Sequence, residues 1–381
     1  MNSAVEVSAI LPCLNEERTL PLCIEKIWRS FRELGIAGEI VVGDNGSTDR
    51  SVEIAESMGA RVVHQPVPGY GAALQAAIGG AKGRFIIMAD ADDSYDWSNL
   101  KPFIDKWREG CEFVMGNRFK GTIHPNAMPF LHKYVGNPVL SRISALFYNI
   151  PVYDFHCGMR GFTREAIDRM KPTTEGMEFA TEMVIRAARE KVRMGEVPID
   201  LFPDKRNRKP HLRTFRDGWR HLSFIMTYAP NYLYLVPGFF LFLCGLIFQA
   251  LLIEGPSHLF GMFMGPHFLA MGLLFTLAGF NILNLGLIAK AVLVSQSPHL
   301  EDRLISWLRT HFSVDRGLLL GLVMMLTGFG IDLNLLVRWL EVDAPMGDSV
   351  HLSFVATGLV VLGLNVLFGS FLLGMVIKKR R

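Results

Sequence analysis

Four long apolar runs crowd the C-terminal part of this 381-residue chain. They cover about residues 232–253, 266–289, 317–337 and 352–377. Each run reaches the roughly 20 residues that an α-helix needs to cross the hydrocarbon core of a bilayer. A buried helix of a soluble protein rarely contains so long an apolar stretch with at most one charged residue, and Asp332 is the one charged residue within these runs. The runs therefore predict four transmembrane helices.

The composition agrees with a membrane protein. Hydrophobic residues make up 50% of the chain, charged residues 20%, and the mean hydropathy is +0.26. These values exclude a mainly disordered chain. A formal net charge of +3 is too small for a chain whose main partner is a nucleic acid. Five cysteines without a C-x-x-C pair indicate neither a zinc site nor a disulfide framework.

Lys and Arg residues are distributed unevenly around the four runs. They precede the first run within residues 205–220, lie between the second and third within residues 303–316, and follow the fourth at residues 378–381. The segment 254–265 contains no Lys or Arg, and acidic residues follow Arg338. Positively charged flanks stay in the cytoplasm. We therefore expect an integral protein of the cell (inner or plasma) membrane, with the N-terminal domain and both termini in the cytoplasm.

Two amphipathic segments beside the runs are expected to lie in the membrane interface as helices, about residues 212–226 and about residues 300–312. Their basic residues, with Trp and Leu opposite, suit an anionic cytoplasmic leaflet. An ordinary amphipathic helix packed on the soluble domain is the alternative. The sequence thus predicts a cytoplasmic domain at 1–210, a juxtamembrane interface helix at 211–231 and a transmembrane domain at 232–381.

The N-terminal part alternates short β-rich runs with helical stretches. The strand-like runs are residues 5–11, 39–43, 61–64, 84–89 and 112–115. This alternation is typical of βαβ units and predicts an α/β fold with a mainly parallel, Rossmann-like sheet. Ligands of such sheets bind outside the carboxyl ends of the strands. Because polar groups follow three of these ends, we expect them to converge in space: Asn15 and Glu16, residues 44–49, and residues 90–93.

The glycine patterns of common phosphate-binding loops do not occur at the expected places. The first turn, residues 12–16, lacks the glycines of a dinucleotide site, and residues 79–83 lack the spacing of a P-loop. Asp90 and Asp92 follow a strongly apolar strand and can together hold one Mg²⁺ or Mn²⁺ ion, whose remaining positions go to water and phosphate oxygens. A diphosphate bound through a metal is implied. An EF-hand is excluded, because Tyr95 and Lys101 stand where that loop needs Gly and Glu.

Six short motifs follow one another along the N-terminal part: residues 11–16, 44–49, 69–73, 90–92, 117–118 and 154–162. Each motif is weak alone. The ordered set, which covers most of the soluble domain, resembles the membrane-associated glycosyltransferases of family 2 with the GT-A fold. Within them it is most similar to the group of dolichol-phosphate mannose synthases and polyprenyl-phosphate glucosyltransferases.

The resemblance implies roles for individual residues. A nucleotide would be held by Pro12, Asn15, Glu16, Asp44, Gly46 and Ala91. The metal would be held by Asp90 and Asp92, with Ser94 as a weak contact where the family often has Gln. Asp154 would orient the sugar or the acceptor. Because a guanidinium offers a bidentate fork to phosphates, the candidates for binding them are Arg118, Arg160 and either Arg206 or Arg208.

The implied reaction is an inverting, metal-dependent transfer of a single hexose from UDP-glucose or GDP-mannose to an undecaprenyl or dolichyl phosphate at the cytoplasmic membrane face. A phosphate monoester is largely ionised near neutral pH, because its second pKa is about 6, so a dedicated general base is unnecessary. The sequence is compatible with a homo-oligomer.

Two other functions are alternatives. A processive polysaccharide synthase would need a Q-x-x-R-W motif, and here Leu335 stands at the Gln position before Arg338 and Trp339. A transporter or scaffold with a degenerate transferase domain is disfavoured, because every acidic position of the motifs is filled.

Glu178 and Glu182 lie four residues apart on a predicted helix, residues 178–190, and so share one face. Paired carboxylates could serve acid–base catalysis. A solvated face, or one paired with Arg186 and Arg189, is the favoured interpretation.

Overall fold

The structure is a computed structural model that describes residues 5–148, 150–205, 214–259, 261–296, 302–342 and 350–377. The chain divides into two compact units, Met1–Ile225 and Met226–Arg381. Arg206, Arg208 and the basic residues 378–381 lie outside the described residues.

The first unit is an α/β domain. Its described strands are β1 (Val7–Cys13), β2 (Gly38–Asp44), β3 (Arg61–His64), β4 (Phe85–Met88), β5 (Phe113–Asn117), β6 (Arg160–Thr163) and β7 (Met194–Pro198). Its described helices are α1 (Leu20–Leu34), α2 (Ser51–Ser57), α3 (Tyr70–Gly80), α4 (Lys101–Arg108), α5 (Asn137–Tyr148), α6 (Arg164–Met170) and α7 (Phe179–Arg189). The helix α8 (Thr214–Thr227) includes the boundary between the two units. A π-helical turn, His132–Gly136, leads directly into α5.

The seven strands form one sheet in the order β3-β2-β1-β4-β6-β5-β7. Every residue of β1 and β4 is buried, as expected for central strands that are covered on both faces. All the pairings are parallel except those of β6, which is antiparallel to both β4 and β5. The predicted mainly parallel α/β sheet is confirmed.

The antiparallel strand β6 was not predicted. It follows the long segment between β5 and Arg160, and that segment brings the chain back onto the sheet from the carboxyl ends of β4 and β5. As a result, residues just before β6 lie at the same edge as the polar groups that follow β1, β2 and β4.

The second unit contains the long apolar helices. It consists of α9 (Val236–Leu252) after a π-helical turn at Asn231–Leu235, a short hairpin of β8 (Ser257–Leu259) and β9 (Met262–Met264), and then α10 (Pro266–Gln296), α11 (Arg303–His311), α12 (Val314–Val342) and α13 (Val350–Val376). Four stretches in the described part are long and apolar enough to cross a membrane: Asn231–Leu252, Pro266–Ser295, Val314–Glu341 and Val350–Val376. The prediction of four such helices is confirmed, whereas the hairpin was not predicted.

A buried lysine fastens the short helix α11 to the long helices. The Nζ atom of Lys290 on α10 donates to Asn231 Oδ1 at 2.7 Å and forms an ion pair with Asp302. The other carboxylate oxygen of Asp302 accepts from the backbone N–H of Ile305 at 3.1 Å and caps α11. Ile305 is buried in an apolar cluster with residues of α10 and α13. This helix falls within the segment predicted to be amphipathic; its place in a membrane interface stays a prediction.

Glycines bring α12 and α13 into backbone contact. A Cβ atom added at Gly363 of α13 would lie 2.6 Å from the carbonyl oxygen of Gly321 and 2.7 Å from the amide nitrogen of Met325, both on α12. Small residues allow such an approach between membrane helices, where van der Waals packing and not water exclusion drives association.

Replacing Gly363 with Leu should loosen this helix pair. Overpacking of this kind costs about 1 to 3 kcal/mol, so the thermal unfolding midpoint of the detergent-solubilised protein should fall. Gly330→Leu on α12 is the matched control, because a Cβ added there meets no atom within 4 Å. Equal midpoints for the two variants would contradict the described packing.

Candidate active site

The loops after β1 and β2 are joined by the side chain of Asn15. Its Oδ1 atom accepts from the backbone N–H groups of Thr48 at 2.8 Å and Asp49 at 3.3 Å, while its own N–H donates to Ser47 Oγ at 3.0 Å. Asn15 has a positive φ of 58°, a conformation that Asn tolerates better than most residues. The predicted convergence of these two polar groups is therefore observed.

Asp44 is a fixed anionic acceptor at the end of β2. Its carboxylate accepts from the N–H groups of Ser47 at 3.0 Å and Gly46 at 3.3 Å and lies 3.1 Å from His64 Nδ1. Burial alone would raise the pKa of Asp44, but these hydrogen bonds hold it below its ordinary value. Pro12 pairs in register with Gly43 on the neighbouring strand, so the predicted nucleotide residues of both loops lie at one edge.

Glu16 is buried just beyond Asn15. Its carboxylate accepts from Thr19 Oγ1 at 2.9 Å, and its N–H donates to Ser51 Oγ at 2.8 Å. These contacts fix the loop at the start of α1.

The turn after β4 carries Asp90, Ala91 and Asp92. Asp92 Oδ1 accepts from both the N–H group of Ser94 at 3.0 Å and its hydroxyl at 2.6 Å. The predicted weak metal contact, Ser94, therefore holds the Asp92 carboxylate in place. Asp92 is 8% exposed and Ala91 is buried, so the turn is not a solvated surface loop.

Gly158 brings the loop before β6 against this turn. A Cβ atom added there would lie 3.2 Å from Asp90 Oδ2 and 2.8 Å from the Tyr95 hydroxyl, and the N–H of Gly158 donates to that hydroxyl at 2.9 Å. Burial raises the pKa of Tyr70 well above its usual range, and the neighbouring Asp90 carboxylate adds to the effect. Two motifs far apart in sequence thus meet at Asp90.

Sequence reasoning missed Asp93, the carboxylate that anchors the turn. It is 1% exposed with a φ of 60°, and it pairs with Lys26 Nζ at 2.5 Å and Lys205 Nζ at 2.7 Å. The only sequence signal was its place in a run of acids.

The segment before Arg206 lies along the same turn. Phe202 N–H donates to the Ser94 carbonyl at 2.9 Å, and Lys205 N–H donates to the Asp92 carbonyl at 3.4 Å. Lys205 is the last described residue before the gap at 206–213. The segment that ends at Lys205 therefore lies beside the acidic turn.

Arg118 and Asp154, both predicted site residues, bind each other. Arg118 donates from Nε to Asp154 Oδ2 at 2.7 Å and from Nη2 to Oδ1 at 2.8 Å, and both side chains are nearly or fully buried. Burial lowers the pKa of Arg118, but the Asp154 charge raises it well above its ordinary value. Glu196, which sequence reasoning also missed, holds the loop by accepting from the N–H groups of Tyr153 at 2.5 Å and Asp154 at 3.2 Å.

Arg160 lies in the interior of the domain. Its guanidinium donates to the carbonyl oxygens of Ala180, at 2.6 Å, and of Cys157. Within the described part, its Nε atom has no hydrogen-bond partner. Burial lowers the pKa of Arg160. Arg160 pairs in register with Met88, two residues before Asp90, and its guanidinium is used by backbone carbonyl groups there.

Glu182 forms an ion pair with Arg186. This agrees with the interpretation that the acidic face of this helix is paired with arginine. Its buried carboxylate accepts from Arg186 Nε at 2.6 Å and from the N–H groups of Thr173 at 2.9 Å and Thr174 at 2.8 Å. Burial alone would raise the pKa of Glu182, but these hydrogen bonds lower it. The Glu182 carboxylate therefore stabilises the loop between α6 and α7. Its hydrogen bonds are made to this loop and to Arg186, as expected for a structural role and not for acid–base catalysis with Glu178.

The side chains at the turn after β4 suit a cation that takes some of its ligands from the protein and the others from a bound substrate. Among the described residues, no cluster of three or more His, Cys, Asp and Glu side chains could hold a metal ion. Mg²⁺ commonly binds through one or two carboxylates, with substrate phosphates and water completing its shell. Asp90 and Asp92 would offer two such hard oxygen ligands, on a turn that contacts Ser94 and Gly158.

An α/β domain with this acidic turn, followed by four membrane-length helices, defines a membrane-bound transferase of the GT-A type. The sequence matches the model described as "Glycosyl transferase family 2" over residues 8–171 and "Glycosyltransferase family 2 C-terminal transmembrane region" over residues 287–377. The chain belongs to the family 2 glycosyltransferases and is an integral membrane enzyme. The resemblance drawn from the motifs is confirmed.

Several relatives come from Haloferax volcanii. "Low-salt glycan biosynthesis hexosyltransferase Agl6" is 37% identical over 374 residues, which are 97% of this chain and 89% of that protein. "Dolichyl-phosphate hexose transferase" is 32% identical over 194 residues, 51% of this chain and 82% of that protein.

A solved structure of glucosyl-3-phosphoglycerate synthase from Mycobacterium tuberculosis with UDP is more distant. It is 19% identical, with a TM-score of 0.47, and the match covers 59% of this chain and 80% of that one. A similarity this low gives no information about the site residues.

Removing Asp154 should destabilise the enzyme strongly. Asp154→Ala leaves the Arg118 charge buried without its carboxylate, which typically costs about 3 to 5 kcal/mol. The double variant Arg118→Met/Asp154→Ala removes both charges, so most of the lost thermal stability should return. Unfolding midpoints of the solubilised protein provide the measurement.

Glu53→Ala is the control, because the Arg50–Glu53 pair is exposed and its loss should leave the midpoint unchanged. If Asp154→Ala melted like the wild type, the buried pair would not support the domain.

Proposed function

We propose that this enzyme transfers a single hexose, with inversion, from UDP-glucose or GDP-mannose to a polyprenyl phosphate, undecaprenyl or dolichyl, at the cytoplasmic face of the membrane. The observation that carries the proposal is the Asp90–Asp92 turn at the carboxyl edge of the sheet, in a chain with four membrane-length helices. The names of two Haloferax relatives, a hexosyltransferase and a dolichyl-phosphate hexose transferase, support the sugar and the lipid acceptor.

The donor nucleotide would bind against the loops after β1 and β2. Asp44 and Glu16 supply buried carboxylates there, and a carboxylate can accept hydrogen bonds from a base or ribose. Pro12, Asn15, Gly46 and Ala91 form the adjoining backbone and side-chain surface. Because Asn15 ties the two loops together, the nucleotide would meet a preformed surface.

Asp90 and Asp92 would hold Mg²⁺ or Mn²⁺, with Ser94 orienting Asp92. When bound, the cation would neutralise negative charge on the leaving nucleoside diphosphate. Gly158 keeps the Asp90 carboxylate close to the loop that carries Asp154. The chain's own residues thus position the donor phosphates beside that loop.

The acceptor phosphate needs no general base, because it is already anionic. Lys205 places a cation on the metal-binding turn, and Arg206 or Arg208 would bind the lipid phosphate where the chain continues. Arg118 and Arg160 are held by protein groups. We propose that Arg118 acts by fixing Asp154, and that Arg160 contributes positive charge from the interior.

Asp92→Asn should abolish sugar transfer while the protein stays folded. Asn keeps an oxygen that can accept from Ser94 but loses the charge that binds the cation. Losing several kcal/mol of charge stabilisation corresponds to a rate loss of at least about 100-fold. The measurement is transfer of radiolabelled hexose to lipid phosphate in detergent across a Mg²⁺ and Mn²⁺ titration.

Asp96→Asn is the matched control, since Asp96 lies in the same loop and its Oδ1 accepts from Ser98. It should retain activity. If a metal chelator left sugar transfer by the wild-type enzyme unchanged, the assignment of a metal to Asp90 and Asp92 would be wrong.

The proposed orientation is testable with impermeant thiol reagents on intact cells. Single cysteines at His258 and Glu341 should react from outside, and one at Thr310 should react only after the membrane is opened, because the basic flanks stay inside. Labelling of Thr310 in intact cells would overturn the four-span topology.

A further inference from the structure

The motif at residues 69–73 contains the start of α3 and has no role in the proposed function. Tyr70 is the first residue of this helix, and its hydroxyl forms a hydrogen bond with the side chain of Asp90. An ionised carboxylate can only accept hydrogen bonds, so the hydroxyl of Tyr70 is the donor. The motif therefore reaches the acidic turn after β4 through one side chain.

Glycines on both sides of Tyr70 bring the start of α3 against another loop. A Cβ atom added at Gly69 would lie 2.2 Å from the carbonyl oxygen of Glu175. One added at Gly71 would lie 2.4 Å from the carbonyl oxygen of Thr174. Glycine, which has no side chain, permits this close approach of two backbones. The position of Tyr70 is therefore set by backbone packing on both sides of it.

Hydrogen bonds fix the same turn of α3. The N–H of Gly69, where φ is 151°, donates to Asn45 Oδ1 at 2.7 Å. The N–H of Ala72 donates to the carbonyl oxygen of Glu175 at 3.1 Å. The loop that contains Glu175 is itself held by the buried carboxylate of Glu182. The first turn of α3 thus lies between two fixed loops, and its Tyr70 has little freedom to move.

Each of the two acids at the turn has its own hydroxyl donor. Asp92 accepts from the hydroxyl of Ser94 at 2.6 Å, and Asp90 accepts from the hydroxyl of Tyr70. Carboxylates that bind a metal are commonly oriented by hydrogen bonds of this kind. A carboxylate has two oxygens, so a hydrogen bond to one of them leaves the other for a cation.

We propose that Tyr70 is a positioning residue, whose hydroxyl orients the Asp90 carboxylate toward a divalent cation. This role rests on the proposed function, in which a divalent cation binds at the turn. Without the hydroxyl, the carboxylate is free to rotate. Losing such a partner weakens metal binding by roughly 10- to 100-fold.

Mn²⁺ titrations of the solubilised full chain test the proposal. The free Mn²⁺ ion is measured by its room-temperature electron paramagnetic resonance signal, in the presence of UDP and, separately, of GDP. Tyr70→Phe removes only the hydroxyl and should raise the dissociation constant of Mn²⁺ by roughly 10-fold or more. Tyr134→Phe is the matched control, because Tyr134 is 59% exposed, and it should bind Mn²⁺ like the wild type.

A double-mutant cycle separates positioning from a general effect on the fold. In an Asp90→Ala background there is no carboxylate to orient, so adding Tyr70→Phe should weaken Mn²⁺ binding no further. An equal loss in both backgrounds would mean that Tyr70 acts on the domain as a whole, and the proposal would be wrong. It would also be wrong if Tyr70→Phe alone bound Mn²⁺ like the wild type.

Unfolding midpoints of all variants show whether each one is folded. If Tyr70→Phe does not fold, Tyr70 is replaced with para-aminophenylalanine, which keeps a hydrogen-bond donor on the ring. That protein should bind Mn²⁺ like the wild type, and a folded protein with weakened binding would contradict the proposal. Wild-type enzyme that bound Mn²⁺ with neither nucleotide would contradict the metal of the proposed function as well, whereas the results for Tyr70→Phe concern the positioning role alone.

Discussion

The buried carboxylate of Asp93 fixes the acidic turn on which the candidate site depends. A buried charge is tolerated only when it is paired, and Asp93 is paired with Lys26 from α1 and Lys205 from the segment after β7. These contacts hold three parts of the chain at the same point. The two neighbouring acids, Asp90 and Asp92, can then be presented at the edge of the sheet without themselves carrying the local fold.

A second buried pair supports the other wall of the site. Asp154 holds Arg118, while Glu196 holds the backbone of Asp154. Gly158, four residues further along, allows the same loop to approach Asp90. The loop also receives the contact from Ser141 of α5. One loop therefore contacts both the acidic turn after β4 and the helix α5.

Local pattern was enough to predict the class of fold. The apolar runs predicted the four long helices, and the alternation of strands and helices predicted a mainly parallel sheet with polar groups at one edge. The antiparallel strand β6 could not be predicted, because its direction depends on the path of the preceding segment. The ion pairs of Asp93 with Lys26 and Lys205, and of Arg118 with Asp154, were also missed. Their partners lie far apart in the sequence, and only the folded chain brings them together. The hydroxyl of Ser94 donates to Asp92, and its predicted weak contact with the metal stays a prediction.

The central claim is that Asp90 and Asp92 bind a cation together with the diphosphate of the donor. Pulsed electron paramagnetic resonance of the solubilised enzyme with Mn²⁺ measures this directly, because phosphorus within the coordination sphere couples to the manganese spin. The account predicts a phosphorus coupling that appears when UDP-glucose or GDP-mannose is added to the wild type. A manganese signal from the wild type that neither nucleotide sugar changes would contradict it.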